Sequence, residues 1–281
     1  MQTLSEIRAL LAERGLHPRK RFGQNFLHDH NQLRRLLDAA GVRPGERVLE
    51  VGPGTGVLTE ALVERGAEVV AVEVDRDLAA IVESRLGDRV TLFVCDAMDK
   101  GRRLARPVSD ALGDAPFLLV ANLPYQIASP LMAALLLEHP NCRGQYVTIQ
   151  REVAERLLAE PGTKAYGPLT VIARSLGRIR RIATLPPKCF WPAPAVTSAM
   201  IAIEPRHVLG EAPLVDDAPG FARFVTRLFS ARRKQLGSTL GRDRDWPAGV
   251  TPDLRPEALT VEQLAAVWRA GAGEALPEEG R

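Results

Sequence analysis

The sequence predicts an α/β protein: a doubly wound parallel sheet with helices on both faces, followed by a small all-helical domain. Three observations carry this. Short apolar, β-branched runs alternate with segments of helical period from residue 31 to residue 162. The first of those runs empties into a glycine-rich turn that opens a helix. Beyond Glu204 the strand pattern stops while helical periodicity continues. Crossover helices cover both sides of a parallel sheet, so its strands read as unbroken hydrophobic runs.

The elements follow in order. "NQLRRLLDAAG" (31–41) places Leu33, Leu36 and Leu37 on one side of a helix, with Gly41 as its stop. "RVLEVGPGTG" is a short strand entering a glycine turn, and "VLTEALVERG" a helix ending at Gly66. "EVVAVEVD" is the second strand, "RDLAAIVESRLG" the second crossover helix and "VTLFVCDA" the third strand. "FLLVANLPY" gives the fourth strand, and "SPLMAALL" the helix after it, with Pro130 tolerated in the first turn. "GQYVTIQ" is the fifth strand and "REVAERLLAEPG" its helix. In the C-terminal part, "GFARFVTRLFSARRKQLGSTL" spaces Phe221, Phe224, Val225 and Leu228 helically, and "TVEQLAAVWRAG" opens on a T-x-x-Q capping-box pattern. The expected division is residues 1–205 for the sheet domain and 206–281 for the helical one, ending in a Pro/Glu-rich, frayed tail after Ala275.

With 46% hydrophobic and 25% charged residues over 281 positions, the composition is that of a soluble globular protein large enough for one big domain and a smaller one. No run is apolar for long enough to span a bilayer and no signal-peptide h-region opens the chain, so a cytoplasmic location without membrane partners is expected. Cys95, Cys142 and Cys189 are scattered, with no C-x-x-C and no histidine at ligand spacing, so neither disulfides nor a metal site is expected. The net charge is only +3, yet its distribution is uneven. From Pro161 to Ile203 there is no acid, while Lys164, Arg174, Arg178, Arg180, Arg181 and Lys188 contribute six positive charges. Such a block suggests a basic surface for a polyanion.

Glu50, Gly52, Gly54 and Gly56 form E-x-G-x-G-x-G between a strand and a helix. Glycines there let the backbone turn tightly and approach a ligand. Glu73 ends the second strand, where a carboxylate can accept from both hydroxyls of a ribose, which fits NAD and S-adenosylmethionine equally. Asp96 in "CDAM" suits the exocyclic amine of an adenine. An acidic Glu50 beside the turn favours a cationic cofactor over a pyrophosphate, because like charges repel. Spacing therefore favours a methyltransferase over a dehydrogenase.

Several motifs make a more specific match. "RKRFGQNFLHD" (19–29), "LEVGPGTGVLT", "VEVDRDL", "CDAM", "NLPY", "QREVAERLLAEPGTKAYGPL", "FWPAPAVTSAM" and "FSARRKQL" occur in one order over roughly residues 17–270. The chain in this respect resembles the small-subunit ribosomal RNA adenine dimethyltransferases of the bacterial KsgA type. The resemblance implies a Rossmann-like S-adenosylmethionine-dependent methyltransferase sheet, with the helical domain binding RNA. It also implies transfer of methyl groups to N6 of two adjacent adenosines near the 3′ end of 16S rRNA, in the small subunit or its precursor, giving N6,N6-dimethyladenosines. A monomer is expected. Carried over by position, Asn25, Leu27, Gly52, Glu73, Asp96 and Asn122 contact the cofactor. Asn25 and Leu27 lie outside the sheet, so their segment would fold across the cofactor as a lid, its basic neighbours Arg19, Lys20 and Arg21 reaching RNA phosphate.

"NLPY" supplies the chemistry. An aromatic exocyclic amine is a poor nucleophile because its lone pair is delocalised. Hydrogen-bond acceptors on its N–H groups favour a pyramidal nitrogen, and the Asn122 side-chain oxygen with a carbonyl at Leu123 or Pro124 would serve. Tyr125 would stack on the target base. Phe190 of "FWPAP" aligns with a family aromatic that closes the other face of the adenine. Two rivals share parts of this pattern: a large-subunit rRNA adenine N6-methyltransferase of the antibiotic-resistance type, and a mainly non-catalytic small-subunit assembly factor. "KAYGPL" and "NLPY" favour the small-subunit class, and an intact Asn122 with the glycine turn favours catalysis.

Overall fold

A computed structural model of the protein describes residues 1–272; the expected tail after Ala275 lies outside the described residues. The chain divides into two compact units. The first comprises Met1–Leu135, His139–Ala154 and Arg180–Glu204; the second comprises Leu136–Glu138, Glu155–Ile179 and the chain from Pro205 onward.

The first unit is built on a seven-stranded sheet. In chain order the strands are β1 (Phe26–Leu27), β2 (Arg47–Val51), β3 (Glu68–Glu73), β4 (Val90–Val94), β5 (Phe117–Asn122), β6 (Cys142–Gln150), β7 (Gly177–Leu185), β8 (Phe190–Trp191) and β9 (Ser198–Pro205). The order across the sheet is β4-β3-β2-β5-β6-β9-β7, with β1 and β8 forming a separate antiparallel pair. β4 through β6 pair in parallel, with Val48 opposite Val69, Leu49 opposite Leu119 and Asn122 opposite Thr148. The order reverses between β2 and β5, and in open α/β sheets the ligand crevice lies outside the carboxyl ends of the strands at such a switch point.

Of helices α1 (Leu4–Ala12), α2 (His30–Ala40), α3 (Val57–Glu64), α4 (Arg76–Leu86), α5 (Arg106–Leu112) and α6 (Tyr125–Glu138), α2, α3, α4 and α6 correspond to helices the sequence predicts, and α1 and α5 add to them. Gly41 ends α2 at φ +59°, ψ +32°, the left-handed stop that glycine adopts without a Cβ penalty. The core beneath the site is aliphatic: Leu33, Leu36, Val48, Leu62, Ile81 and Val120 are each 1% exposed or less.

Three features depart from the sequence reading. The sheet is mixed, because β9 runs antiparallel to β6, Gln145 facing Ile203 and Gln150 facing Ser198. The basic segment read for its charge contains β7, whose arginines break the apolar run by which strands are recognised. The helix after β5 begins at Tyr125, so Pro130 lies inside it and removes one interior hydrogen bond. Burial of Ala128, Leu131, Met132 and Leu135 holds the helix through that gap.

The second unit has its own core. Helices α7 (Arg151–Leu157) and α8 (Pro168–Leu176) precede β7, and α9 (Ala218–Ser230), α10 (Leu236–Leu240) and α11 (Val261–Val267) follow β9. Tyr166 and Val171 are buried with Phe221, Phe224, Leu228, Leu259 and Leu264, and the Tyr166 hydroxyl donates to the Leu259 carbonyl at 2.8 Å. Residues 155–179, assigned by sequence to the sheet domain, thus share a core with the C-terminal helices, so a single cut after residue 205 does not describe the packing. Thr260 and Gln263 form the expected capping box at α11. No helix among the described residues is long and apolar enough to cross a membrane.

Candidate active site

A cleft of about 340 Å³ opens in the first unit at the carboxyl ends of β2, β3, β4 and β5. The turn after β2 shapes one wall. Gly52 and Gly54 stand at φ +75° and +63°, where an L side chain is strained. A Cβ on Gly52 would come within 3.2 Å of the Pro124 ring, and one on Gly54 within 3.0 Å of the Phe26 ring. The turn therefore packs against both the segment after β5 and the N-terminal strap.

Glu73 closes β3 at 5% exposure. Its two oxygens accept the Gly54 N–H at 3.1 Å and the Asp75 N–H at 2.9 Å. Burial raises its carboxyl above the usual range, opposed by those donors. Glu50, one strand away, is 1% exposed, and its Oε2 has no hydrogen-bond partner. Burial pushes the Glu50 carboxyl up to about 8; the nearby Thr59 hydroxyl tempers the rise and the Glu73 charge adds to it. A buried carboxylate without a partner is costly unless positive charge faces it.

The N-terminal strap runs from Arg19 to Leu27, and its residues 21–27 line the cleft. Its β1 pairs with β8, Leu27 opposite Phe190, and the Phe26 ring stacks on Trp191 at 6.3 Å. Arg19 bridges Asp75 at 2.9 Å and Asp77 at 2.5 Å, and Gln24 Nε2 donates to Asp75 at 2.8 Å. At the end of β5 the Asn122 Nδ2 donates to the Asn25 carbonyl at 3.0 Å. The Leu123 N–H donates to Thr148 O at 3.1 Å, while the Pro124 carbonyl accepts from Ile127 N at 3.2 Å. The Tyr125 hydroxyl lies 2.8 Å from Ser198 Oγ, which fixes its ring.

The structure brings Asn25, Leu27, Gly52, Glu73, Asp96, Asn122, Leu123, Pro124 and Tyr125 to the walls of this one cleft. Phe190 is not among the lining residues. It is 3% exposed in the core, and its strand backs the strap. Arg19, expected to reach RNA phosphate, is instead held by Asp75 and Asp77. The basic block is not acid-free in space: Arg174 meets Glu160, Arg178 meets Glu211 and Arg180 meets Glu204. It is also divided, with Lys164, Arg174 and Arg178 in the second unit and Arg180, Arg181 and Lys188 in the first. Sequence reasoning missed Gln24, Asp75 and Ser198. Ser198 lies in the quoted "AVTSAM", and Asp75 follows Glu73 in "VEVD", but their partners are distant in the chain.

The ribosomal RNA adenine dimethylase family matches residues 15–267. The chain belongs to that family. A ribosomal RNA small subunit methyltransferase A of Bifidobacterium adolescentis is 37% identical over 95% of this chain and 92% of its own length. Among solved structures, a dimethyladenosine transferase from Plasmodium falciparum superposes with a TM-score of 0.70 at 21% identity, covering 89% of this chain and 98% of that one. The 23S rRNA methyltransferase ErmE gives 0.62 at 25% identity, covering 88% and 99%. The dimethylase is an S-adenosylmethionine-dependent methyltransferase, and its cleft fits that cofactor. The unpartnered Glu50 oxygen suits a cationic group, and the two glycines leave room where any Cβ would press on Pro124 or Phe26.

Proposed function

We propose that this dimethylase methylates N6 of two adjacent adenosines near the 3′ end of 16S rRNA, giving N6,N6-dimethyladenosines during small-subunit assembly, and that it works as a cytoplasmic monomer. Its substrate is RNA, as for the rRNA methyltransferases it is similar to; the small-subunit address is supported by the relative that matches nearly its whole length. The observation that carries the chemistry is the Asn122 carboxamide at the end of β5, between the glycine turn and Tyr125, with its nitrogen already engaged by Asn25.

S-adenosylmethionine, when bound, supplies an electrophilic methyl group on a sulfonium. In the proposed arrangement Glu73 holds the ribose hydroxyls, Asp96 the adenine amine and Glu50 faces positive charge, while Gly52, Asn25 and Leu27 enclose the cofactor against water. The target adenine leaves its stack to enter the cleft. Asn122 Oδ1 and the Leu123 carbonyl accept its two amine N–H groups and turn the lone pair outward. The Leu123 carbonyl is taken as the second acceptor; the Pro124 carbonyl already accepts one hydrogen bond, from the Ile127 N–H at 3.2 Å. Pro124 sets the backbone turn between them, and the Tyr125 ring, anchored on Ser198, stacks on the base. The amine is a cation after transfer and sheds its proton to water, so positioning replaces a strong base. Phe190 supports the strap from behind Leu27.

Incubation with labelled S-adenosylmethionine and unmethylated small or large ribosomal subunits, followed by nucleoside mass analysis, tests the reading. Dimethyladenosine in the small subunit is expected. Label confined to the large subunit would overturn it in favour of the antibiotic-resistance type, and no label at all would favour a non-catalytic assembly factor.

A further inference from the structure

The contact between the strap and Asn122 has a chemical consequence. A main-chain carbonyl can only accept a hydrogen bond, so the Asn25 carbonyl obliges the Asn122 carboxamide to present its NH₂ group. The planar group then turns Oδ1 away from the strap carbonyl, and Asn122 is one of the residues lining the cleft. Flipped, the same side chain would set a donor against the donor N–H groups of an adenine amine. The strap carbonyl thus selects the productive one of two orientations that are nearly equal in shape.

That carbonyl is itself held in place by neighbouring contacts. Gln24, the preceding residue, accepts the Arg19 N–H at 2.7 Å and donates to Asp75 Oδ2 at 2.8 Å. The Arg19 guanidinium spans Asp75 and Asp77. Asn25 turns its own Nδ2 back to the Gly23 carbonyl at 3.0 Å, with Gly23 at φ +64°. Asp75 is 3% exposed, caps α4 by accepting the Asp77 N–H at 3.1 Å, and donates its own N–H to Glu73. The strap is therefore pinned to a buried anchor that adjoins the cofactor carboxylate.

We propose that Arg19 and Gln24, acting through Asp75 and the Asn25 carbonyl, are positioning residues that set the orientation of the Asn122 carboxamide. This rests on the assignment of Asn122 as the amine acceptor. The test is a double-mutant cycle on the single-turnover methyl-transfer rate, measured at saturating S-adenosylmethionine and RNA so that losses of affinity do not enter. Arg19→Ala and Gln24→Ala should each slow transfer roughly tenfold, the order expected when one directed hydrogen bond is lost. Arg19→Lys, which keeps a cation for Asp75, should recover most of the rate. In an Asn122→Ala background, Arg19→Ala should slow transfer no further, because the group it orients is gone. Equal slowing in both backgrounds, or no slowing in either, overturns the proposal. Should Arg19→Ala not fold, Gln24→Ala carries the same comparison. An Asn122→Ala enzyme with undiminished rate would refute the acceptor assignment itself, a failure distinct from multiplicative effects of two damaging changes.

Discussion

Replacing Glu50 by glutamine tests whether the cleft is built around a buried acid waiting for positive charge. Burial pushes the carboxyl from its ordinary 4.5 to about 8. The folded form then binds more protons than the unfolded form between those two values, so stability is fully present below the lower one and falls as pH rises through the upper. At 1.36 kcal/mol for each pH unit of that window, the loss is about 1 kcal/mol by pH 5, about 3 by pH 7 and approaches 5 above pH 8. Glutamine keeps the shape and cannot ionise. Urea titrations followed by far-UV circular dichroism at pH 5, 7 and 8.5 should therefore show a falling profile for the wild type. Glu50→Gln should be flatter and more stable at pH 8.5, by about 2–4 kcal/mol after allowance for relaxation around the charge. The same change should weaken S-adenosylmethionine binding about 10–100-fold, the range for loss of a charge-assisted contact. Parallel pH profiles, or a variant less stable than wild type at pH 8.5, would refute the reasoning, since no buried titrating carboxyl would then stand at residue 50.

Three further outcomes follow from the geometry. Gly54→Ala places a Cβ at φ +63° and 3.0 Å from the Phe26 ring; with about 1–2 kcal/mol of backbone strain and a displaced strap, cofactor affinity by calorimetry should fall at least roughly tenfold. Tyr125→Ala should weaken capture of an RNA oligonucleotide by about 1–3 kcal/mol through lost stacking, whereas Tyr125→Phe, which loses only the 2.8 Å contact to Ser198, should cost about 1 kcal/mol or less. Arg181 and Lys188 are exposed and have no ion pair among the described residues; changing both to alanine should shallow the slope of log affinity against log salt by about 1.4 for a single-stranded substrate, while Arg180→Ala, already paired with Glu204 at 3.4 Å, should alter it less.

By itself the sequence determined the strands β2 to β6, the glycine turn and the placing of Glu50, Glu73, Asp96 and Asn122 at strand ends. Each follows from local rules: an apolar run makes a buried strand, a glycine reaches positive φ, and a polar residue ending the run lies at the sheet edge. The motif order supplied the family, and with it the cofactor. Only the tertiary structure decided what those residues touch. It reversed β9 against β6, drew 155–179 into the second core, and set glutamates from beyond the acid-free stretch beside its arginines. It put Phe190 in the core rather than on the cleft wall. It also joined Arg19 to Asp75, Asn25 to Asn122 and Tyr125 to Ser198. Those partners are 56, 97 and 73 residues apart, and no local pattern encodes a hydrogen bond at such separations. Such contacts are fixed when the sheet order brings the ends of β2, β3 and β5 together at the switch point, and the strap can fold over them only then.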